Sequence, residues 1–528
     1  MPTSRFSPIY SEVCVTVPKN EKFQMKLLKL RTTFIIVVLL ILYGSFQWYK
    51  ASENIVLSNG ARLEWTPCWF KTPSQTTKHI SCAYLFPSRS IRLPVVIIKQ
   101  SFWNRQPSPI LYLSGGPGYA TGLAQEDIEF WLTWLDMNKW PHDLVLFDQR
   151  GTGLSQPQPN CPEVMSQVPE VLGQSLTLEK EFSLGKTAIE QCYKRLRENG
   201  IDLSSYNTLN SSRDVGNLME ALGGTDWNLY GVSYGTRLAL SVVREYPERV
   251  RSVILDSVYP PEINELLETP FVYDNALATL FKGCAADEDC NSAFPNLEAS
   301  FFTLLAQLRK APIELMVSAP DSEKKLKVVI NDHRFINMIF QALYRWDFIA
   351  SLPVAIESAQ RGNYEPLMPI VEDFVTWLLD TNFSDAVYMS VECYDGFPET
   401  TRNEFMAQVA RFPRVREFVE KQWDYKFCRI WQVGRANDAF REPVSSDIPA
   451  LFLAGKYDPV TPPVWAKKAA AHFSRGHVFV FPGIGHGAVD SDTCAPQLVR
   501  EFLQNPLLKP QHECLSWLST PDFVVDVE

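Results

Sequence analysis

The sequence predicts an α/β protein built on a doubly wound sheet, with a mostly helical region inserted between two of its core strands. Three observations carry this expectation. Short apolar runs rich in β-branched residues alternate with longer stretches of helical character; those runs cease between about Pro260 and Pro449; and the chain has 528 residues. Single cores usually stop growing near ~250–300 residues, so a core with an insertion is expected.

The strand-like runs are Val95 to Ile98, Ile110 to Leu113, Leu144 to Phe147, Trp227 to Gly231, Val253 to Leu255, Ala450 to Leu453 and Val478 to Phe481. Continuous apolar runs of this length read as buried parallel strands, and the order strand, helix, strand as a doubly wound sheet. The insertion instead carries helix-length apolar patterns, such as Phe335 to Tyr344 and Phe374 to Leu379, and many aromatics. The expected division is an N-terminal cytoplasmic tail over 1–31, a membrane segment over 32–48, the first part of the core over 51–259, a helical cap over 260–448 and the C-terminal part of the core over 449–528. No internal repeat or low-complexity tract interrupts it.

Hydrophobic residues at 46% and charged residues at 21% are the balance of a globular protein. A formal net charge of −10 argues against nucleic acid as a partner, because phosphate binding needs a concentrated excess of Lys and Arg. The basic residues that do cluster, Lys22, Lys26, Lys29 and Arg31, precede an uncharged run from Thr32 to Trp48. That run is at the short edge of the ~17–25 residues of a transmembrane helix, and its flank keeps the preceding residues in the cytoplasm. The expectation is a signal anchor, with the membrane as a partner and everything after Lys50 exported. A cleaved signal peptide, giving a secreted protein, is the alternative, although Tyr43-Gly44-Ser45 fits poorly the small residues a cleavage site needs. Met25, followed by Lys-Leu-Leu-Lys-Leu-Arg, is an alternative start for the export signal.

Cysteine usage agrees with export. Of eleven cysteines only Cys14 precedes the apolar run, and the rest fall as near neighbours: Cys68 with Cys82, Cys161 with Cys192, Cys284 with Cys290, Cys393 with Cys428, and Cys494 with Cys514. An even set of this kind is expected to pair as disulfides; free buried thiols are the alternative. No C-x-x-C pair occurs, so no metal is expected.

The strongest local signal is Gly231-Val232-Ser233-Tyr234-Gly235, between the strand-like Trp227 to Tyr230 and the helical pattern Thr236 to Tyr246. This is the strand, sharp turn, helix setting of a nucleophile elbow, which makes the core an α/β-hydrolase fold. Its glycines are expected where side chains would clash with the neighbouring strand and helix. A serine hydroxyl needs a base and a third group to orient that base, and in this fold the chain order is Ser, acid, His. His472 falls in a helical stretch and His477 begins a strand, whereas His486 lies in a turn just past one, between Gly485 and Gly487. For the acid, Asp458 follows the strand Ala450 to Leu453 and precedes a proline; Asp256, ending the strand Val253 to Leu255, is the competitor. Ser233, Asp458 and His486 are the expected catalytic residues. Oxyanion donors are expected from the backbone of Tyr234 and from Gly115 and Gly116 in the loop Ser114-Gly115-Gly116-Pro117-Gly118.

Taken together, Gly115-Gly116-Pro117-Gly118, Asp148-Gln149-Arg150-Gly151-Thr152-Gly153, Gly231-Val232-Ser233-Tyr234-Gly235-Thr236, Asp458 and Gly485-His486-Gly487 resemble the proline iminopeptidase and tripeptidyl aminopeptidase family of serine peptidases. The resemblance spans about Leu111 to Gly487, and D-Q-R-G-T-G is its most family-specific run. It implies an aminopeptidase whose partners are peptides with a free N-terminus, and a cap that limits access to peptide ends. It also implies that Asp148 and Arg150 shape the loop beside the site; a surface salt bridge is their alternative. One departure is Ser114, where proline iminopeptidases usually carry His. With the long cap and paired cysteines, it favours the tripeptidyl side. Glu392-Cys393-Tyr394-Asp395 resembles an acidic segment of that branch, which implies that Glu392 and Asp395 receive the substrate ammonium, whose pKa is near ~8. Solvated acids are the alternative for both.

The runner-up reading is a carboxylesterase or lipase, since the same triad cleaves esters. A silent binding protein on this scaffold is a third, weakened by a competent residue at every triad position. No nucleotide or flavin motif occurs, and no cofactor is expected.

Overall fold

The computed structural model describes residues 54–74, 76–101, 105–319 and 324–526. Ten strands form one sheet: β1 (Ile55–Val56), β2 (Arg62–Thr66), β3 (His79–Ser88), β4 (Ile91–Lys99), β5 (Gln106–Leu113), β6 (His142–Phe147), β7 (Trp227–Val232), β8 (Val250–Asp256), and, after the insertion and its own two strands, β11 (Ala450–Gly455) and β12 (Gly476–Phe481). Their order is β1-β2-β3-β4-β6-β5-β7-β8-β11-β12. From β6 onward in that order every pairing is parallel, so the loops after β5, β6, β7, β8, β11 and β12 leave the same edge of this sheet, the edge where such sheets place their sites.

The expectation that Val95 to Ile98 is a parallel strand is corrected, because β4 runs antiparallel to both β3 and β6. Its apolar run is continuous because it is covered on both faces, and burial alone does not distinguish the two directions. Alternate residues feed opposite faces of the sheet. Leu229 and Val253 join a core with Leu238 and Phe452, while Tyr230 and Ile254 join another with Leu144 and Phe502.

Between β8 and β11 the chain builds helices, among them Glu265–Ala286, Leu297–Lys310, Asp332–Ala342, Trp346–Gln360, Met368–Leu378 and Asp385–Asp395. They close around a core of their own that includes Leu280, Phe301, Phe335, Ile339 and Leu352. Each of the two phenylalanines, fully buried, contributes about 1.5–3 kcal/mol. The side chain of Asn331 caps Asp332–Ala342 by accepting from the Arg334 N–H, which explains where that helix starts. The expectation that strands stop here is corrected: β9 (Ile313–Ser318) and β10 (Lys325–Ile330) form an antiparallel pair. β9 alternates between more buried and more exposed residues, the period of a half-exposed strand, rather than running continuously apolar.

All five expected disulfides are present: Cys68–Cys82, Cys161–Cys192, Cys284–Cys290, Cys393–Cys428 and Cys494–Cys514. Bonds of this kind form and persist in oxidising compartments. Cys14, Met25 and the run Thr32 to Trp48 lie outside the described residues. Among the described residues no helix is long and apolar enough to cross a membrane. The longest, Glu265–Ala286, has the length, but it carries Glu265, Glu268, Asp274 and Lys282 and turns its apolar side into the cap core. The expected membrane segment of the fold, the membrane as a partner and the membrane-anchored location are therefore corrected, since no described element carries them.

Candidate active site

Ser233 stands between β7 and the helix Tyr234–Glu245, with φ 58° and ψ −126°. A non-glycine residue held there costs of order 1–3 kcal/mol and persists only where its surroundings over-determine it. The surroundings are tight. A Cβ on Gly231 would strike the backbone of Gly235, and one on Gly235 would strike the Leu113 carbonyl, so glycine at both positions lets the turn close against β5. The Ser233 N–H donates to the Asp256 carbonyl at 2.9 Å, which fixes the turn to the end of β8.

His486 lies past β12, against the cap. Its N–H donates to the Tyr344 carbonyl at 2.9 Å, and its ring stands 4.8 Å from the Tyr344 ring. Its Nδ1 is 2.9 Å from Oδ2 of Asp458, in the loop after β11. Asp458 is almost fully buried and also accepts from the N–H groups of Val460 and Thr461 and from the Thr461 hydroxyl at 2.6 Å. With the Nδ1 proton directed at Asp458, Nε2 keeps its lone pair for a proton transfer. Burial alone would lower the imidazole pKa; the charge and hydrogen bond of Asp458, with Asp256 further off, outweigh it and hold the pKa above the ordinary value.

Asp256, the competing acid, does not meet the ring. Its two carboxylate oxygens accept from the N–H groups of Ala488 and Val489, at 2.8 and 2.9 Å. The other histidines considered stand elsewhere: His472 in a turn after the helix Pro463–Ala470, and His477 in β12.

The loop Ser114 to Gly118 follows β5 and runs beside the elbow, where a Cβ on Gly115 would lie 3.0 Å from the Ser233 Cβ. Tyr234 opens its helix, and an N–H in a first turn has no carbonyl four residues back to bond. The cap holds the glycine loop from the other side: the Ser384 N–H donates to the Gly118 carbonyl, the Ala120 N–H to the Asn382 carbonyl, and the Tyr119 and Phe383 rings lie 5.0 Å apart. Asp148 and Arg150 are buried, which removes the surface salt-bridge alternative. Asp148 accepts from the N–H groups of Thr121 and Leu154, and Arg150 makes a two-pronged ion pair with Asp214 at 2.7 and 2.8 Å.

Glu392 and Asp395 lie on the cap helix Asp385–Asp395, beside the elbow rather than in bulk solvent. Oε2 of Glu392 is 3.3 Å from the Tyr259 hydroxyl, which is also 3.2 Å from Oε2 of Glu265. Tyr259 is tied to the elbow, because its N–H donates to Oγ1 of Thr236, whose hydroxyl donates to the Ser233 carbonyl. Asp395 is buried; one oxygen accepts from the Thr208 N–H and the other has no partner among the described residues. Burial, then the neighbouring Glu265 charge, pushes Glu392 well above the carboxylate range, with Arg237 opposing; burial pushes Asp395 up to about 6. Arg237, on the elbow helix, lies over the Tyr259 ring at 3.6 Å. Glu265, Tyr259 and Arg237 were not legible as site residues. A charge inside the apolar elbow helix is a signal for Arg237, since a buried cation needs partners; Glu265 reads as an ordinary first-turn acid.

The family model of the α/β-hydrolase fold matches residues 108–493, so the chain belongs to that family. It is a serine-hydrolase enzyme acting on small substrates, peptide or ester. The chain is 24% identical over 491 residues to a putative hydrolase, YuaR, of Escherichia coli, covering 84% of this chain and 91% of that protein. It is 28% identical over 425 residues to a tripeptidyl aminopeptidase of Streptomyces lividans, 76% of each, and 22% identical over 381 residues to the serine protease Hip1 of Mycobacterium tuberculosis, 68% of this chain and 72% of that one.

Proposed function

We propose that the protein is a serine aminopeptidase, releasing residues from the free N-terminus of peptides through an acyl-enzyme, with tripeptides as the favoured product. In this reading Ser233 Oγ attacks the scissile carbonyl carbon while His486 Nε2 takes its proton, and Asp458 stabilises the imidazolium. The backbone N–H groups of Tyr234, Gly115 and Gly116 receive the oxyanion, each such donor typically supporting ~10²–10³ in kcat. His486 then returns the proton to the leaving amine, the C–N bond breaks, and water repeats the sequence on the ester to release the N-terminal fragment.

The observation that carries the peptidase reading is the acidic pair Glu392 and Glu265, linked through Tyr259 to the elbow, with Asp395 buried on the same helix as Glu392. A neutral ester has no use for such a group, whereas an ammonium with a pKa near ~8 does. The likeness to the Streptomyces tripeptidyl aminopeptidase adds support.

The test is hydrolysis of free-amine aminoacyl and tripeptidyl anilides, their acetylated forms and a short acyl ester, by the protein and by Ser233→Ala. Cleavage of the free-amine anilides much faster than of their acetylated forms, lost in Ser233→Ala together with the slower turnover of the activated ester, is the expected result, and the better anilide identifies the product length. Cleavage of the ester with every anilide untouched would replace this reading with the esterase one.

A further inference from the structure

We infer that the dipeptide Asp256-Ser257 is the joint that holds Ser233, His486 and Asp458 in register, with the Asp256 carboxylate as a positioning residue for His486. The inference rests on the triad reading above. Each arm of the joint reaches a different member of the site. The Asp256 carbonyl accepts from the Ser233 N–H at 2.9 Å, and the Ser257 N–H donates to the Leu453 carbonyl at 3.0 Å, on the strand that leads to Asp458. The three N–H groups that follow His486 are all taken by the dipeptide: Gly487 by Ser257 Oγ at 2.8 Å, Ala488 by Asp256 Oδ1 at 2.8 Å and Val489 by Oδ2 at 2.9 Å.

The joint is specific to a carboxylate. Both oxygens face N–H donors, so an amide in the same place would set its NH₂ against one of them. Both residues are wholly buried, and Ser257 is held at φ 59°, a conformation kept only where contacts over-determine it. Charge-assisted bonds of this kind are about twice as strong as neutral ones, which makes the His486 loop depend on the ionisation of Asp256.

The groups facing Asp256 are the Tyr230 hydroxyl on β7 at 3.5 Å, Tyr112 on β5, and Asp490 and His486 on the chain it holds; Asp490 is itself bonded to Trp134 Nε1. Burial, with Asp490 adding, pushes the Asp256 carboxyl up to about 6 against the N–H bonds and His486. Below that pH the carboxyl takes a proton and the loop loses its charged acceptor. Loss of activity on acidification then involves two protons, one on His486 and one on Asp256.

The experiment is the pH dependence of kcat/KM on a short p-nitrophenyl ester, between about pH 4.5 and 9, for the protein, Asp256→Asn, Ser257→Ala and Ser233→Ala. The expected results are a limiting acid slope of two for the unaltered protein and one for Asp256→Asn. Asp256→Asn should also lose ~10–100-fold in kcat at neutral pH with KM nearly unchanged, the size of effect that a misplaced catalytic group produces. Ser257→Ala should keep the slope of two at reduced kcat. A slope of one in the unaltered protein overturns the inference even if Asp256→Asn does not fold. Full kcat or an unchanged slope in Asp256→Asn overturns it as well. Activity in Ser233→Ala would instead overturn the triad reading beneath it.

Discussion

The Tyr344 carbonyl accepts the backbone N–H of His486 at 2.9 Å while the two rings lie 4.8 Å apart, so His486, the proposed base, is seated on the cap as well as on the core. Its imidazole thereby lies beside the Tyr344 ring, tilted at 50°, with Nδ1 on Asp458 at 2.9 Å. The mechanism depends on that seating, and the following outcomes are expected from it and from the acidic group opposite.

Asp458→Asn should lower kcat by about 10⁴, because the amide no longer holds the imidazole in the tautomer that leaves Nε2 basic. Steady-state kinetics on a cleavable anilide check this, with a thermal melt to confirm that the protein is folded. Asp256→Asn should cost less than Asp458→Asn, and the reverse order would mean that the two acids have been assigned the wrong way round.

The acid limb of kcat/KM should have its upper midpoint above the ordinary histidine value of ~6.5. The sign follows from the raised pKa of His486: imidazolium persists to higher pH than in a free side chain, and only the neutral ring accepts the Ser233 proton. A pH–rate profile on an uncharged ester measures it without interference from substrate ionisation.

Glu392→Gln should raise KM for free-amine tripeptidyl anilides by ~10–100-fold, the cost of ~1.5–3 kcal/mol for a hydrogen bond to a charged group. Rates on acetylated anilides should not change. Equal loss on both would assign Glu392 a purely structural part in the cap.

Replacing Cys393 and Cys428 together by serine should destabilise the protein by ~2–4 kcal/mol, the usual range for a native disulfide. Because Cys393 lies between Glu392 and Asp395, amine selectivity should fall with it. The melting temperature and the ratio of free to acetylated rates report the two effects separately.

Much of this site is written locally in the chain. The glycines around Ser233 can be read because the collision they avoid involves residues two positions away, and the order of Asp458 and His486 because each follows its own strand. Asp256 shows where such reading ends. Asp256 ends β8 and Asp458 lies in the loop just past the adjacent β11, and only the path of the His486 loop decides which one meets the ring and which one meets the backbone. Glu265 is further out of reach, since it joins Glu392 through Tyr259 across a long stretch of chain and looks locally like any helix-opening acid. In the fold, the parallel strands are legible from their apolar runs. β9 is too short and too broken by Glu314 to stand out as a buried strand, because it is half-exposed and its burial alternates.

The paired backbone bonds between the glycine loop and the cap, Ser384 to Gly118 and Ala120 to Asn382, bear on how such an enzyme can change over evolutionary time. A cap attached only by its two connections could be exchanged wholesale for another. This one also props the glycine loop proposed to steady the reaction's negative charge, so a replacement would remove a support of that loop along with the old substrate preference. New specificities in this lineage are therefore expected to arise by substitution within the existing cap, around a preserved Asn382–Ser384 segment, rather than by the arrival of a different one.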